Sequence, residues 1–445
     1  MSCPKSHAID LQPHLLKIGE HLLNHRGLLV VYGTGSGKTL GAISSVQCLL
    51  NSYPSKGALI ITPASLVANF KKEMVKYGLQ MDDPRYTFKT YGEVLHSQNI
   101  DTLCTDKILV CDEAHNLRTQ VTKKGGVLAA KMIKCAKNAF KVLLLTATPV
   151  VNNPIDIVNL IAMIDGKDPM HRTEFERMLE NGSKLRNYFQ NKAVFYKRPS
   201  NDPNYPHAHE RDVVLTMTDS FYKAYHAIEL NEFKNNSKAV ELIRSKDVFA
   251  FLSGVRRAMN VANIENSPKI NWTTKLVAEG DGKHGLGQTL IYSAWKSAGK
   301  DLILEKLKKK NIKVAEVHGS MDRKQRAESV RQYNAKEVTV LLITKAGGEG
   351  LDLKDTKYLV VLDPNWNDAN LQQIMGRAVR YKSHMGEVRD VYIYKLYLQK
   401  PGLGLLSGRK WSDNIASADC LLKALVTKKT SELKKFMAVF ETFGV

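Results

Sequence analysis

The sequence predicts an α/β protein with two halves, each a mainly parallel sheet with flanking helices, joined by a helical region. Three observations predict this. Short apolar runs alternate with helical patterns in the first 165 residues, and the same alternation returns from residue 287. Alternation of this kind favours parallel strands covered by helices on both faces. Between Pro149 and Leu290 the pattern is mostly helical, with RDVVLTM at 211–217 as the strand signal. Finally, a glycine-rich turn, Gly33-Thr34-Gly35-Ser36-Gly37, follows the apolar run Leu28 to Val31 and leads into the amphipathic stretch LGAISSVQCLL.

In chain order, LQPHLLKIGEHLL within residues 1–27 reads as an amphipathic helix entering the first strand. GALIIT (57–62) precedes the helical SLVANFKKEMVKYG, YTFKT (86–90) is a weaker strand, and KILVC (107–111) precedes DEAH. FKVLLLT (140–146) precedes ATP and the helical PIDIVNLIAMI. TEFERMLE, SFYKAYHAIELNEF and KAVELIRSKDVFAFLSGVRRAMN follow as helices. In the second half the strands are GQTLIYS (287–293), KVAEVHG (313–319), EVTVLLIT (337–344), KYLVVLD (357–363) and VRDVYIYKLYL (388–398). KDLILEKLKKK and DRKQRAESVRQYN are helices between them. DGKHGLG (281–287) and PGLGLLSG (401–408) are loops, and SADCLLKALVTKKTSELKKFMAVFE is a last helix. The expected domains are 1–215, a helical linker over 216–280, a second half over 281–400 and a C-terminal helical extension, 401–445, packed on the second half.

The chain has 445 residues, room for about three domains, and 43% of them are hydrophobic, enough for a core in each half. The formal charge of +21 points to a polyanionic partner, with nucleic acid ahead of an acidic membrane surface. No stretch has the apolar length of a membrane span, and MSCPKSHAIDLQPH lacks the apolar core of a signal peptide. The six cysteines, Cys3, Cys48, Cys104, Cys111, Cys135 and Cys420, form no C-x-x-C pair. They read as buried or free thiols in an intracellular reducing compartment rather than as a zinc site or disulfide framework.

The motifs carry the chemistry. A strand, glycine loop and helix, with Lys38-Thr39 at the helix start, is the setting of a phosphate-binding loop. Backbone N–H groups and the helix N-terminus face the phosphates. Lys38 reaches the β- and γ-phosphates, and the Thr39 hydroxyl ligates Mg²⁺. Tyr32 stands where the pattern G-x-x-x-x-G-K-[ST] has its first glycine. Asp112-Glu113-Ala114-His115 follows an apolar strand, so it shares the carboxyl edge of the sheet with the loop. There Asp112 can hold Mg²⁺ and Glu113 can activate the attacking water. Thr146 and Thr148, after the next strand, can bond to the DEAH carboxylates or to His115. In the second half, Gln373-Ile374-Met375-Gly376-Arg377-Ala378-Val379-Arg380 places two arginines three apart, on one face if helical. Guanidinium groups can stabilise charge on a transferring phosphoryl group.

These motifs, in this order, resemble those of superfamily-two helicases and translocases, and more finely their Swi/Snf-like branch. ITPASLVANFKKE (61–73), TYGEVL (90–95), LLTATPVVNNPIDIVNLI (144–161), MTDSFYKAY (217–225) and SPK (267–269) carry the likeness in the first part of the chain. LIYSAW (290–295), EVHGSMDRKQR (316–326), TKAGGEGLDL (344–353) and LDPNWNDANLQQIMGRAVRYKSH (362–384) carry it in the second. The compact enzymes of large DNA viruses, such as poxvirus-type nucleoside triphosphatase I, look most similar. The resemblance implies two RecA-like lobes and hydrolysis of ATP or another NTP with Mg²⁺ between them. It places Gly350 and Asp352 at the nucleotide, and His115, Thr146, Thr148 and Gln373 in coupling. Arg377 and Arg380 join Lys38, Asp112 and Glu113 as catalytic residues. Pro63, Ser65, Asn69, Tyr91, His318, Gly319, Thr344 and Lys345 are the implied nucleic-acid contacts. They are small polar groups, backbone amides and one lysine, suited to phosphates rather than base edges. KLKKK (306–310), KMIKCAK (131–137) and TKKTSELKK (427–435) can extend a phosphate-tracking surface.

Two positions depart from the family pattern. Leu15 occupies the place of the adenine-reading glutamine, with Gln12 three residues away, and the second-half motif reads Gly-Leu-Asp rather than Gly-Leu-Asn. The leading expectation is a nucleic-acid-stimulated NTPase that translocates on DNA, duplex and sequence-nonspecific, with no membrane partner. A viral setting would place it in the virion or the infected-cell cytoplasm or nucleus. An RNA-directed helicase in viral transcription is the alternative. A nucleic-acid-binding assembly protein with a degenerate NTPase site is a third reading.

Overall fold

The computed structural model describes residues 8–33, 35–118, 123–151, 153–196, 202–234, 253–344, 351–364, 368–380, 382–402 and 416–442. Thr34, Lys345, Gly350, all of KAVELIRSKDVFAFL and most of PGLGLLSG lie outside them. Two compact units emerge: residues 1–202 with 429–445, and residues 203–428.

Unit 1 is built on a six-stranded sheet in the order β3-β2-β4-β5-β1-β6. The strands are β1 (Gly27–Tyr32), β2 (Gly57–Thr62), β3 (Tyr86–Thr90), β4 (Lys107–Cys111), β5 (Lys141–Thr146) and β6 (Ala193–Tyr196). Every neighbouring pair is parallel. Four of the strands coincide with apolar runs in the sequence and β3 with the weaker signal YTFKT; β6, AVFY, is four residues long and carries no periodic signal of its own. Helices α1 (Pro13–Asn24), α2 (Lys38–Ser52), α3 (Val67–Tyr77), α4 (Tyr91–His96), α5 (Lys123–Asn138), α6 (Val158–Asp165), α7 (Arg172–Leu179) and α8 (Gly182–Phe189) surround it.

The alternation of side chains along β1 explains the layering. Leu28, Val30 and Tyr32 pack with one core, and Leu29 and Val31 with the core on the opposite face. Arg26, just before β1, ties helix ends to this sheet. Its guanidinium donates to the carbonyls of Met163 (3.0 Å) and Ile164 (2.8 Å) in α6 and of Ala136 (2.5 Å) in α5. Carbonyls in the last turn of a helix are open to donors from outside it. Gly166, at φ 65°, closes α6 in the left-handed region that glycine adopts without strain, beside the Arg26 guanidinium.

Unit 2 repeats the architecture in the order β7-β12-β11-β8-β10-β9, again with every neighbouring pair parallel. Its strands are β7 (His207–Thr216), β8 (Thr289–Ser293), β9 (Val314–Val317), β10 (Val340–Thr344), β11 (Tyr358–Val361) and β12 (Asp390–Gln399). Helices α9 (Asp219–Lys234), α10 (Ser253–Val261), α11 (Pro268–Glu279), α12 (Asp301–Lys309), α13 (Arg323–Asn334), α14 (Asp368–Ala378) and α15 (Ala418–Glu441) complete the chain. Among the described residues no helix is long and apolar enough to cross a membrane.

Three features differ from the sequence expectations. First, β7 pairs along its whole length with β12, so residues 207–216 extend the second sheet rather than closing the first lobe. A lone alternating strand carries no mark of its partner; pairing decides it. Second, the final residues cluster with unit 1, not with the second half. Phe440 is fully buried, its ring centroid 4.4 Å from that of Phe189 and 4.8 Å from that of Phe195. Third, Cys104 and Cys135 are joined as a disulfide, with Cα atoms 5.2 Å apart, although they lie 31 residues apart without a motif spacing. Cys48 is also disulfide-bonded, whereas Cys111 and Cys420 are free thiols.

Truncating a fully buried phenyl ring removes its transfer free energy and leaves a cavity. Phe440→Ala should therefore destabilise unit 1 by about 3–5 kcal/mol. Hydrogen exchange of the β1 and β6 amides measures this; unchanged protection there would show that the C-terminal turns do not support this unit.

Candidate active site

A parallel sheet delivers all its strand ends to one edge, and unit 1 uses five of them. In spatial order the edge carries Tyr91 after β3, Pro63 after β2, Asp112 after β4, Ala147 and Thr148 after β5, and the glycine loop after β1. The predicted phosphate loop, acidic motif and Thr-Ala-Thr segment are thus brought together.

The loop has the conformation its glycines permit. Gly35 and Gly37 sit at φ 78° and 83°, in the left-handed region. The Ser36 hydroxyl donates to the Gly33 carbonyl at 2.6 Å. Lys38, the first residue of α2, donates to the carbonyls of Tyr32 (2.8 Å) and Gly33 (3.0 Å), so its ammonium lies against the loop. No side chain caps α2 at Gly37, which leaves its first-turn N–H groups facing the loop.

The Tyr32 departure is accommodated by α1. The Tyr32 ring is 1% exposed, within the core, and its hydroxyl donates to the His14 carbonyl at 2.8 Å. The His14 ring stacks on Tyr196 with centroids 3.7 Å apart and bonds through Nε2 to the Ser36 carbonyl at 3.2 Å. Burial lowers the His14 pKa, so the neutral ring donates here. Leu15 packs beneath the loop, where a Cβ on Gly37 would meet its Cδ1 at 3.1 Å. Gln12 is exposed at the N-cap of α1.

Asp112 is buried at the end of β4. One carboxylate oxygen accepts from the Glu113 N–H at 3.0 Å and the other from the Thr62 hydroxyl at 3.5 Å. Burial, together with the adjacent Glu113 carboxylate, pushes its pKa up to about 6; Lys38 pulls in the opposite direction. Glu113 has φ 52° and ψ 47°. A non-glycine residue there stores on the order of 1–3 kcal/mol of strain and persists only when its surroundings fix it. His115 joins two motifs, since its Nδ1 lies 3.3 Å from the Glu113 carboxylate and 3.3 Å from the Thr146 hydroxyl. Thr146 Oγ1 in turn accepts from the Thr148 N–H at 3.1 Å. The Thr39 hydroxyl and the Asp112 carboxylate are hard oxygen donors, which fits Mg²⁺ better than a softer metal.

Other predicted residues fall as follows. Ser65 is exposed, and Pro63 and Asn69 are half-buried at the β2 end. The Tyr91 hydroxyl turns inward, donating to the Asp112 carbonyl at 2.6 Å. In unit 2, Thr344 ends β10, and His318 follows β9 with its Nδ1 bonded to Ser320 Oγ at 2.9 Å. The Gly319 carbonyl accepts from Arg326. Gln373 and Arg377, four apart on α14, share a face. Arg380 does not join them, because α14 ends at Ala378. The Ser383 hydroxyl accepts the Arg380 N–H at 3.2 Å, which stops the helical ladder. The Arg380 guanidinium lies 3.4 Å from Asp352 and 3.3 Å from the Leu351 carbonyl.

Sequence reasoning missed the support residues. Thr62 and the Tyr91 hydroxyl hold Asp112, and neither carries a motif signal for that role. Asp363 does carry one: like Asp112 it follows an apolar strand. It is buried and accepts from Ser293 Oγ (2.6 Å), the Ala294 N–H (3.0 Å) and Asn260 Nδ2 (2.6 Å).

The chain is similar to known proteins along most of its length. The DEAD/DEAH box helicase model matches residues 13–157, the SNF2-related domain residues 86–264 and the helicase conserved C-terminal domain residues 268–382. An ATP-dependent RNA helicase of Acanthamoeba polyphaga mimivirus is 33% identical over 413 residues, covering 87% of this chain and 89% of the relative. Nucleoside triphosphatase I of Choristoneura fumiferana entomopoxvirus is 23% identical over 464 residues, covering 84% of this chain and 70% of the relative. The Pyrococcus furiosus Hef helicase domain shares the fold at a TM-score of 0.50 and 16% identity, covering 89% of this chain and 95% of that one. With a one-third-identical relative along nearly its whole length, and with the phosphate loop, the DEAH box and the arginine motif each in its place in the chain, this protein belongs to the superfamily-two helicases, on their SNF2-related branch, and is a nucleoside triphosphate hydrolase.

Proposed function

We propose that the protein hydrolyses ATP with Mg²⁺ to translocate along duplex DNA without sequence preference. One observation carries this reading: the order of strand ends in unit 1. The polymer-contact candidates Pro63, Ser65 and Asn69 follow β2, which is hydrogen-bonded to β4, and β4 delivers Asp112 and Glu113. Force on the polymer segments therefore acts one strand away from the hydrolytic loop. The charge of +21 suits a phosphate backbone.

In this reading Lys38, the loop amides and Thr39 bind the triphosphate, and Thr39 and Asp112 would hold Mg²⁺, which supplies charge neutralisation on the phosphates. Glu113 takes the proton of the attacking water, and His115 with Thr146 and Thr148 links that residue to the neighbouring strand end. Arg377, Arg380, Gly350 and Asp352 serve the nucleotide from the second half, Gln373 serves the coupling, and His318, Gly319, Thr344 and Lys345 serve the polymer. The mimivirus relative is described as an RNA helicase, which keeps RNA as a second reading. NTPase rates with no polymer, single-stranded DNA, duplex DNA and RNA separate them. Duplex should stimulate most, and its binding should weaken with a log–log salt slope of roughly −0.9 per phosphate contacted. Greater stimulation by RNA would replace the DNA reading.

The assigned roles differ in what each substitution spares. Lys38→Ala should lose nucleotide binding and turnover together. Glu113→Gln should keep nucleotide affinity while turnover falls at least a hundredfold, in the range of general-base losses of about 10²–10⁴. Arg380→Ala should retain binding and lose most polymer-stimulated turnover. Equal binding loss in all three would contradict these roles, and titration with a fluorescent ATP analogue reads it.

Asp112 should also make the nucleotide-free protein pH-sensitive. Its pKa is higher folded than unfolded, so the folded state holds the proton through the window from about 4 to about 6. Stability is present below that window and falls as pH rises through it, by on the order of 1–3 kcal/mol. Asp112→Asn should therefore melt higher than wild type at pH 7.5 and equal to it near pH 4, while losing turnover. Thermal melts at the two pH values measure the difference; a variant no more stable at pH 7.5 would show that the carboxylate is not penalised by burial.

A further inference from the structure

Glu113 can act as a base only if its carboxylate is aimed, and its backbone is in a conformation that few residues hold unaided. The peptide joining Asp112 to Glu113 is gripped at both ends. Its N–H donates to Asp112 Oδ1 at 3.0 Å, and its carbonyl oxygen accepts from the Tyr91 hydroxyl at 2.6 Å. The Glu113 carbonyl also accepts from Asn116 Nδ2 at 2.9 Å. The Asp112 and Asn116 bonds arise within the loop itself. The Tyr91 bond arrives from another element, 21 residues earlier in the chain.

That element is firmly seated. Tyr91 is the first residue of α4, whose start is held by a reciprocal cap: Glu93 N–H to Thr90 Oγ1 at 3.1 Å and Thr90 N–H to the Glu93 carboxylate at 2.7 Å. At its end, Lys131 of α5 donates to the carbonyls of Leu95 (2.6 Å) and Ser97 (2.7 Å). Burial raises the Tyr91 pKa well above its ordinary value, so the phenol stays a donor at working pH.

We infer that Tyr91 is a positioning residue for the hydrolytic base: its hydroxyl fixes the Asp112–Glu113 peptide and ties the Glu113 carboxylate to the segment that follows β3. The inference rests on Glu113 being the base. It reassigns the Tyr91 side chain from touching polymer to holding the catalytic loop, and a displacement of α4 on polymer binding is then felt directly at Glu113.

Tyr91→Phe tests this, since it keeps the ring and its packing and removes one oxygen. The full-length variant is assayed with ATP, with and without a mixed-sequence DNA duplex. Basal and duplex-stimulated kcat should both fall roughly tenfold, as expected for a buried carbonyl left without its donor. KM for ATP and duplex affinity should match wild type, and melting temperature should fall only by the few degrees that one lost hydrogen bond costs. A kcat within twofold of wild type overturns the inference. Weaker duplex binding with kcat intact at saturating duplex also overturns it, because Tyr91 is then a polymer contact. A loss of kcat that tracks equal losses of ATP affinity and melting temperature overturns it too, because the hydroxyl then supports the fold alone. If the wild type is not stimulated by any polymer, the translocase reading fails, while basal kcat still decides the role of Tyr91.

Discussion

Parallel pairing is the constraint on which the molecule depends. Parallel strands cannot be joined by tight turns, so each must be followed by a crossover that returns to the start of the sheet. The crossovers cover both faces, which is why β1 alternates between two cores and reads in sequence as an unbroken apolar run. The same rule sends every strand end to one edge. Loops on that edge are free of the packing demands that fix the strands, and they carry the chemistry. Unit 1 therefore needs no long-range design to bring Lys38, Asp112 and Thr146 together; the topology does it.

What the edge gains in chemistry it loses in stability. Asp112 is held in a buried site that raises its pKa, Glu113 sits in the left-handed region, and α2 begins without a side-chain cap. Each is a feature that a structure selected for stability alone would remove. The compensation lies in the surroundings. Thr62, Tyr91 and the Glu113 N–H satisfy Asp112, and His115 bridges the acidic loop to Thr146. Arg26 takes up the loose carbonyls at the opposite end of the sheet.

Much of this was legible in the sequence, and the residues show why. Apolar runs such as ILVC and VLLLT declare strands because a fully buried strand has no polar face. The glycine loop and DEAH declare themselves because phosphate binding and water activation admit few residue types. What escaped detection is tertiary. Strand β7 alternates in sequence, yet only its register with β12 assigns it to the second sheet. The Cys104–Cys135 bond joins a strand approach to a helix with no local spacing to announce it. Arg380 leaves the helix expected to carry it because a serine hydroxyl three residues ahead captures its N–H. The family resemblance of TYGEVL points Tyr91 at the polymer, when its single donor decides its role.

The two departures from the family pattern, Tyr32 and Leu15, lose their independence once α1 is in place. A bulky residue at the start of a phosphate loop would crowd the nucleotide if its side chain rose from the sheet edge. The Tyr32 ring instead lies in the core, and its hydroxyl is spent on the first turn of α1. That turn places His14 on the Ser36 carbonyl and Leu15 under Gly37. Leu15 thus fills, with an apolar side chain, the position from which a glutamine would reach a base, and its contacts go to the backbone of the loop. Helix α1 is thereby a brace for the glycine loop.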